Sequence, residues 1–371
     1  MKVALVVPGG VHRSGTGMVI PCLLALVERV ARVHELHVFA LRQEPAPGRW
    51  TLLGAQVTNA GRRPVQARAL AQVLAEHRRA PFDVFHGVWA ACGLVAGTAG
   101  KLTRRPAMVH LTGGDVADAP EVGYGRCRTP GGRAMIRASA ALGGHVTTPS
   151  ERMVALARAQ GIEAERLTYG VSIRQWPVRA PVRREAGAEA RLLFAASLNA
   201  VKDPFTMVRA AAALRAREVR FRLDVLGTDT LGGAVQRLAA ELELGDLVHF
   251  HGWVPHCELR GWMERADALL LTSRHEGDPI VALEAAIAGV PTIGTPVGHL
   301  VEWAPDAAAT VPFADPDALA DAVAALLCDE DRRLAMAAAA QRHAVRHDAD
   351  HTAARVLQLY DELAAPRRRG R

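Results

Sequence analysis

Two neighbouring glutamates, Glu276 and Glu284, have the residue type and the setting most suited to chemistry in this sequence. They flank Asp278-Pro279, a pair typical of a helix start, and follow an apolar segment that predicts a strand. Glu276 is therefore expected in the loop at the carboxyl end of that strand, and Glu284 within the next helix. A carboxylate can accept hydrogen bonds from two adjacent hydroxyls, as on a ribose, and amides at a helix start suit phosphate or sugar oxygens. Spacing alone leaves another interpretation open, in which Asp278 only caps the helix and Glu284 is a surface residue.

The elements that must position these carboxylates alternate between strand and helix along the chain. An apolar strand over Val3–Val7 leads into a glycine-bearing loop, Gly9–Gly17, and then into an apolar helix near Met18–Val30. Further strands are predicted at Leu36–Ala40, Asp83–His86, Ala107–Leu111, His145–Thr148, Leu167–Tyr169, Leu192–Ala196, Phe221–Leu226, Leu247–Phe250, Ala268–Leu271, Pro291–Gly294 and Ala308–Val311. This alternation predicts an α/β fold of mainly parallel sheets with helices on both faces and ligands at the carboxyl ends of the strands.

A chain of 371 residues suits two domains. We predict an N-terminal domain over residues 1–173 and a second domain over residues 191–347. Residues 174–190 are rich in Arg, Pro, Ala and Glu without an apolar period, and we interpret them as a linker. Residues 348–371 are predicted to form a C-terminal helix and a basic tail, with packing of the helix back on the first domain as one option.

The net charge of +7 favours phosphorylated ligands, anionic membrane surfaces or nucleic acid as partners. The arginines are scattered and aromatic residues make up only 5% of the chain, so no stacking platform for nucleic acid is visible. Nucleic acid is therefore not expected as a partner. The one basic run is Arg367, Arg368, Arg369 and Arg371, which we interpret as a solvated end rather than a membrane tether.

The cellular compartment is indicated by apolar stretches and cysteines. The sequence shows neither a signal-type apolar core nor a stretch long enough to span a bilayer. Its five cysteines are odd in number and far apart, without a spacing that suits zinc, so reduced thiols are expected. A cytoplasmic location follows as the prediction, with contact at the periphery of a membrane left open.

A resemblance to a known family rests on several motifs. Glu276-Gly-Asp-Pro279 with Glu284, followed by Ala288-Gly-Val-Pro-Thr-Ile-Gly-Thr-Pro-Val-Gly298, resembles the paired-glutamate signature of retaining glycosyltransferases of family 4. Other matching segments are Phe82-Asp-Val-Phe-His86, Thr112-Gly-Gly-Asp115, Tyr169-Gly-Val171, Ser197-Leu-Asn-Ala-Val-Lys-Asp203, Leu226-Gly-Thr-Asp229 and His251-Gly-Trp-Val-Pro255. The resemblance covers nearly the whole chain. It implies the GT-B architecture, in which two Rossmann-like doubly wound domains face a central cleft, with the donor bound mainly by the second domain and the acceptor by the first.

The resemblance also implies roles for residues of the second domain. Glu284 would bind the ribose of a nucleotide-sugar donor, and Glu276 would contact the transferred sugar. Gly277 would leave room for that sugar beside its backbone. Lys202 matches a lysine that neutralises the diphosphate as the nucleotide leaves; a solvated lysine beside a helix cap is the alternative.

Three further donor-binding candidates follow the second-domain strand at Pro291–Gly294. By the resemblance, Gly298, His299 and Leu300 would offer backbone amides to the diphosphate, although His299 stands where the family usually has a second glycine. Ser197 and Gly227 complete the predicted donor set. Ser197 replaces the usual arginine beside the lysine, so one positive charge is missing, and Arg274 is a candidate to compensate for it.

Candidates in the first domain are weaker. The loop Gly9–Gly17 is not a nucleotide-triphosphatase loop, because Thr16 occupies the required lysine position. Gly10 and His12 from this loop are predicted near the acceptor, with a plain strand-to-helix turn as the alternative for His12. Thr112 stands where the family often has a histidine. His110 lies on the same side of the strand as Thr112 and is a further candidate, against a structural role.

The resemblance implies a retaining hexosyltransferase that needs no metal and no cofactor, the nucleotide sugar being its substrate. By the resemblance, the acceptor hydroxyl attacks from the leaving-phosphate side, and a phosphate oxygen takes its proton. UDP-glucose, UDP-N-acetylglucosamine and GDP-mannose remain open as donors, and a saccharide, a lipid-linked saccharide or a soluble metabolite as acceptor. The alternatives are a sugar-nucleotide epimerase, hydrolase or phosphorylase of the same architecture, and a donor-binding subunit without turnover. A dinucleotide oxidoreductase is disfavoured by the missing fingerprint.

Overall fold

The computed structural model describes residues 1–365, so the basic run from Arg367 onward lies outside the described residues. Contacts divide the chain into two compact units. Unit 1 consists of Met1–Asp118, Gly125–Gly170 and the chain from His347 on. Unit 2 consists of Ala119–Tyr124 and Val171–Arg346.

The helices and strands alternate along the chain. The strands are β1 (Lys2–Val7), β2 (Glu35–Ala40), β3 (Gly48–Leu52), β4 (Ala55–Asn59), β5 (Val84–Val88), β6 (Ala107–His110), β7 (His145–Thr148), β8 (Glu165–Arg166), β9 (Ala190–Ala195), β10 (Phe221–Leu226), β11 (Val248–Gly252), β12 (Ala268–Leu271), β13 (Thr292–Gly294) and β14 (Ala308–Thr310). The α-helices are α1 (Pro21–Ala31), α2 (Val65–Arg79), α3 (Ala90–Thr103), α4 (Pro130–Gly143), α5 (Glu151–Ala159), α6 (Pro204–Ala216), α7 (Ala234–Glu241), α8 (His256–Met263), α9 (Ile280–Ile287), α10 (Leu300–Trp303), α11 (Pro316–Cys328), α12 (Glu330–Arg346) and α13 (Ala349–Ala364). Among residues 1–365, no helix combines the length and apolar content that a membrane crossing requires.

Unit 1 is built on an eight-stranded sheet with the order β3-β4-β2-β1-β5-β6-β7-β8. All neighbouring strands are parallel except β3 and β4, which form an antiparallel hairpin at one edge. Helix α13 belongs to this unit, because its residues Ala353, Val356, Leu359 and Tyr360 are buried in one apolar cluster with β1 and β2. The last described helix of the chain therefore completes the core around its first strand.

The β3–β4 hairpin was not predicted from the sequence. Its two-residue turn consists of Leu53 (φ 51°) and Gly54 (φ 84°), between the paired residues Leu52 and Ala55. A turn with both central residues at positive φ normally uses Asn-Gly or Asp-Gly. Leucine in the left-handed position therefore gave no signal for the turn.

Unit 2 is built on a six-stranded parallel sheet with the order β11-β10-β9-β12-β13-β14. The inner strand β12 is apolar throughout and fully buried, as expected for a strand covered on both faces. The chain builds outward from β9 to β10 and β11 on one side, and then returns to β12, β13 and β14 on the other. The direction of strand order therefore reverses between β9 and β12, and in such sheets ligands bind at this point.

Most predicted elements are confirmed within a residue or two, but two details are wrong. A strand was expected at Leu167–Tyr169, whereas the two-residue β8 ends just before it. There the chain leaves the sheet, and the hydroxyl of Thr352 in α13 donates to the carbonyl of Thr168. The second error concerns Asp278-Pro279, where α9 begins only after Pro279 and no side chain caps it.

Candidate functional site

The site is built from three segments of unit 2 that follow neighbouring parallel strands. Residues 196–203 follow β9, residues 272–279 follow β12, and residues 295–299 follow β13. Because the strands are parallel, all three segments leave the sheet at the same edge. They hold most of the donor-binding residues that the sequence predicted.

Lys202 and Glu276 meet at the point where the strand order reverses. The ammonium group of Lys202 forms an ion pair with Glu276 Oε1, and the hydroxyl of Ser273 donates to the same oxygen at 2.7 Å. The side chains retain 27% and 14% of their exposure, so both groups reach solvent. The structure therefore brings together the two predicted catalytic residues as a partly shielded pair of opposite charges.

The backbone that carries Lys202 is fixed by its neighbours. Asp203 caps α6 by accepting a bond from the amide of Thr206 at 3.3 Å, and its own φ of 45° is left-handed. Arg274 donates from Nε to Asp203 Oδ2 at 2.8 Å. The hydroxyl of Thr272 donates to the carbonyls of both Lys202 and Asp203 at 2.8 Å. Arg274 thus binds the cap residue, which is a different task from replacing the charge missing at Ser197.

Glu284 is buried, with 4% of its surface exposed, which excludes its interpretation as a surface helix residue. Its Oε1 lies 2.6 Å from His256 Nε2, in the first turn of α8. His256 was not predicted as a site residue. The only sequence signal was its place directly after the segment ending at Pro255.

The turn after β13 contains the three predicted amide donors. Gly298 has φ 51°, and a Cβ atom there would lie 2.4 Å from Pro279 Cδ, so the turn packs closely on the Glu276 loop. His299 is 2% exposed, and its Nδ1 lies 2.5 Å from Asp278 Oδ1. Leu300 begins the four-residue α10, and its amide donates to the carbonyl of Val297 at 3.0 Å, which corrects its prediction as a free amide donor. The Asp278 carboxylate thus binds a side chain of the next loop and not the amides of α9.

Ser197 and Gly227 lie at the ends of β9 and β10. Ser197 is exposed, whereas Gly227 has φ 144° and allows close contact between the two strand ends. A Cβ atom on Gly227 would lie 1.9 Å from the carbonyl oxygen of Ala196. Glycine is therefore required here by the backbone itself.

In unit 1, Gly10 and His12 lie in the loop after β1. Gly10 has φ 80°, and a Cβ atom there would lie 2.6 Å from the side chain of Ile20. His12 is half-buried, with Nδ1 2.9 Å from the hydroxyl of Ser14 and Nε2 3.8 Å from Glu44 Oε1. His12 thus keeps one ring nitrogen near a carboxylate at the loop surface.

His110 is enclosed by the sheet of unit 1. It is 1% exposed, its Nδ1 lies 2.9 Å from the hydroxyl of Thr147, and its ring stacks on Tyr169 at 4.2 Å between centroids. Burial lowers the pKa of His110 to about 3, so the ring is neutral at physiological pH. These contacts are those of a core histidine.

Thr112 is half-buried and lies beside Asp115, a buried carboxylate that was not predicted as a site residue. Asp115 Oδ2 accepts bonds from the amides of Thr112 at 3.3 Å and Ala90 at 2.9 Å. Arg126 Nε donates to Oδ1 at 3.1 Å. Burial raises the pKa of Asp115 to about 6, although the amide of Ala90 and the charge of Arg126 oppose the shift. Asp115 therefore fixes the start of α3.

In the part of the chain that the structure describes, no three His, Cys, Asp or Glu side chains converge in a way that could hold a metal ion.

Comparison with solved structures defines the class of fold. Sucrose-phosphate synthase from Thermosynechococcus elongatus superposes with a TM-score of 0.81 at 19% identity, over 98% of this chain and 99% of that one. HepE from Anabaena, solved in complex with UDP-glucose, has a TM-score of 0.73 at 15% identity, over 97% and 100% of the two chains. The fold is therefore GT-B, with two α/β domains each built on a mainly parallel sheet.

Family models then place the sequence. Residues 17–170 match the glycosyl transferase 4-like domain, and residues 180–343 match glycosyl transferases group 1. Together the two models cover most of the chain, which therefore belongs to the group 1, glycosyl transferase 4-like glycosyltransferases. It is 36% identical over 198 residues to D-inositol 3-phosphate glycosyltransferase of Thermobispora bispora and 33% identical over 179 residues to that of Corynebacterium urealyticum. These alignments cover 50% and 46% of this chain and 46% and 42% of the relatives, so the chain spans about half the length of the curated relatives it matches.

Proposed function

We propose that the chain is a retaining, metal-independent glycosyltransferase that moves a hexose from a nucleotide sugar to an acceptor hydroxyl. The observation that carries this proposal is the pair Lys202–Glu276 at the point where the strand order of unit 2 reverses. A cation there can bind the diphosphate of a nucleotide sugar, and a carboxylate can accept hydrogen bonds from its sugar hydroxyls. Lys202 is assigned to the diphosphate and Glu276 to hydroxyls of the transferred sugar.

The proposed chemistry depends on positioning and on charge. As the bond between sugar and diphosphate breaks, negative charge grows on the diphosphate, and a fixed ammonium group stabilises that charge. Backbone amides of Gly298 and His299 are assigned to the same group, whereas the amide of Leu300 is already bound to the carbonyl of Val297. The acceptor hydroxyl attacks on the leaving-phosphate side, and a phosphate oxygen accepts its proton. Glu276 is already bound by Lys202 and Ser273, which suits a hydrogen-bonding role better than attack on the anomeric carbon.

For the donor, we infer a uridine nucleotide as the first candidate. Glu284 is assigned to the ribose hydroxyls, with His256 holding one of its oxygens. HepE, which shares the fold, binds UDP and UDP-glucose. GDP-mannose is the second donor to examine, since the ribose and diphosphate contacts are common to both nucleotides.

The acceptor is assigned to unit 1, with Gly10, His12 and Thr112 as the candidate contacts. A saccharide, a lipid-linked saccharide and a phosphorylated polyol are the classes proposed. The last is suggested by the name of the relatives, D-inositol 3-phosphate glycosyltransferases. A cytoplasmic location is proposed, and the net charge of +7 is compatible with contact at an anionic membrane surface.

The test is thermal-shift titration of the purified protein with UDP-, GDP- and ADP-sugars and the free nucleotides, with and without EDTA. Stabilisation by one nucleotide class, unchanged by EDTA, is expected. The selected donor is then incubated with an acceptor panel, and NMR of the product reports its anomeric configuration.

Each outcome separates the alternatives. A transferred sugar with inverted configuration contradicts the retaining mechanism, and activity lost with EDTA contradicts metal independence. Free sugar released in place of a glycoside identifies a hydrolase. Binding without any turnover supports a donor-binding subunit, and no binding to any nucleotide sugar removes the proposal.

A further inference from the structure

Two hydrogen bonds link the Glu276 loop (residues 272–279) to the loop after β13 (residues 295–299), one on each side of Glu276. On the amino side, the hydroxyl of Thr295 donates to the carbonyl of Ser273 at 2.5 Å. On the carboxyl side, His299 Nδ1 binds Asp278 Oδ1 at 2.5 Å. Glu276 is therefore enclosed between two anchor points that both lead to the neighbouring segment of the same unit.

Both hydrogen bonds are shielded from water. Thr295 and Ser273 are 1% and 2% exposed, and the side chains of His299 and Asp278 are 2% and 5% exposed. Hydrogen bonds in such a low-dielectric setting are strong, and they limit local opening. The ring of His299 is also held against Trp303, at 4.3 Å between centroids. The two loops are therefore joined by buried contacts at two points.

The buried His299–Asp278 pair carries a desolvation cost. Within the described residues, His299 Nε2 and Asp278 Oδ2 are buried and have no protein partner. Desolvating such atoms is unfavourable, and a pair of apolar side chains at these positions would avoid the cost. The pair is therefore better explained by the relative position in which it holds the two loops than by a contribution to the stability of the fold.

We propose that Thr295 and His299 are positioning residues that fix the carboxylate of Glu276 relative to the turn Gly298–Leu300. His299 acts through the Nδ1–H that it donates to Asp278, a tautomer that the carboxylate selects. The consequence for a nucleotide sugar rests on the proposed function. The position of the two loops does not depend on the proposed function, and it is tested separately.

The first test measures amide hydrogen exchange of the free protein over residues 272–279. His299→Asn places an amide N–H near the position of Nδ1, whereas His299→Gln places it near Nε2, and both lose the ring. We expect roughly tenfold faster exchange in His299→Gln, the size of one lost hydrogen bond to a charged group, and near-normal exchange in His299→Asn. Asp224→Ala is the matched control, because Asp224 binds His251 at 2.8 Å away from these loops. Equal exchange in both His299 variants overturns the proposal.

Thr295→Val and Asp278→Leu keep the inference testable if the histidine variants fail to fold. Each preserves side-chain shape, and each should loosen residues 272–279 without loosening β9 or β10. Uniform loss of protection across unit 2 would show a merely structural role and would contradict the proposal.

The second test uses the donor identified for the wild type. His299→Gln and Thr295→Val are expected to lower kcat about tenfold at a temperature well below the Tm of each variant, with recovery in His299→Asn. If the wild type binds no nucleotide sugar, the proposed function fails while the exchange result still decides the positioning role. If exchange changes as expected but kcat does not, the loop is positioned as described but its position does not matter for transfer, and the catalytic part of the inference is wrong.

Discussion

Glu284 and His256 are joined by a hydrogen bond of 2.6 Å between Oε1 and Nε2, which links the buried carboxylate of α9 to the first residue of α8. Glu284 is 4% exposed, whereas the side chain of His256 keeps 36% of its exposure. One carboxylate oxygen is thus held by a residue that follows β11, while the carboxylate itself follows β12. Two strand ends therefore determine where this carboxylate points.

Glu284→Gln is expected to weaken nucleotide binding while keeping the shape of the side chain. An amide loses one of the two acceptor oxygens, and each hydrogen bond from a ribose hydroxyl to a charged acceptor contributes about 1–3 kcal/mol. Isothermal titration with the preferred nucleotide measures the change, and a 2′-deoxynucleotide should show a smaller difference between wild type and variant. Wild-type affinity in Glu284→Gln would remove the ribose assignment.

Lys202→Ala is expected to reduce kcat by about a hundredfold and to change donor KM less, because the charge matters most when the diphosphate departs. Lys202→Arg keeps the charge and should recover part of the rate. Lys101→Ala, in unit 1, controls for removal of a lysine elsewhere in the chain. Steady-state kinetics with saturating acceptor measure both constants. An unchanged kcat in Lys202→Ala would exclude the lysine from the chemistry.

The fold class was predictable because the apolar inner strands of both sheets are short runs bounded by loops. β12 and β10, for example, were predicted with the bounds observed. The edge hairpin β3–β4 was missed, since its turn places Leu53 at positive φ where sequence rules expect Asn or Gly. Local sequence patterns thus predict the inner strands of the sheets better than the edge strands.

Within the site, Glu276 and Lys202 were identified from motifs, but their direct pairing was not. The partners of Asp278 and Glu284 were also missed. Asp278 precedes a proline at a helix start, which predicts a cap, yet it binds His299 across to the next loop. Such pairings depend on how loops from different strands meet, and a local pattern carries no information about that.

Stability should fall as the pH drops from about 6.5 toward 3. Burial lowers the pKa of His86 and His110 to about 3 and that of His37 to about 4, from the ordinary histidine value of 6.5. As the pH falls, the histidines therefore become protonated in the unfolded state before they do so in the folded state. Each one lowers the free energy of unfolding by about 1.4 kcal/mol per pH unit below 6.5. Asp115, with its pKa raised to about 6, opposes the trend by one proton.

Urea unfolding of wild type and His110→Asn between pH 8 and 4 measures this effect. The variant should show a shallower fall by about 1.4 kcal/mol per pH unit, after its constant difference at pH 8 is subtracted. Parallel curves for the two proteins would mean that His110 titrates alike in the folded and unfolded states.

Gly227→Ala is expected to destabilise unit 2 by several kcal/mol, because a Cβ atom would lie 1.9 Å from the carbonyl oxygen of Ala196. Gly187→Ala is the matched control, since Gly187 also has positive φ (74°) but has no atom within 4 Å of the added carbon. The control should lose only the cost of a left-handed alanine, about 1 kcal/mol. Thermal unfolding of both variants measures the difference, and equal losses would show that the backbone at Gly227 can move aside.

Removal of α13 should unfold unit 1 and leave unit 2 intact. Tyr360 is fully buried in the cluster around β1, and its hydroxyl is hydrogen-bonded to His86 Nδ1 at 2.8 Å. A chain ending at Arg346 loses this helix, and with it buried side chains that contribute about 1.5–3 kcal/mol each. Tyr360→Phe removes only the hydroxyl and should cost about 1 kcal/mol. Hydrogen exchange by mass spectrometry distinguishes the units, since β1 and β5 should lose protection in the truncated chain while β9 and β12 keep theirs. Protection lost equally in both sheets would mean that α13 is needed by the whole chain and not by the unit to which its contacts assign it.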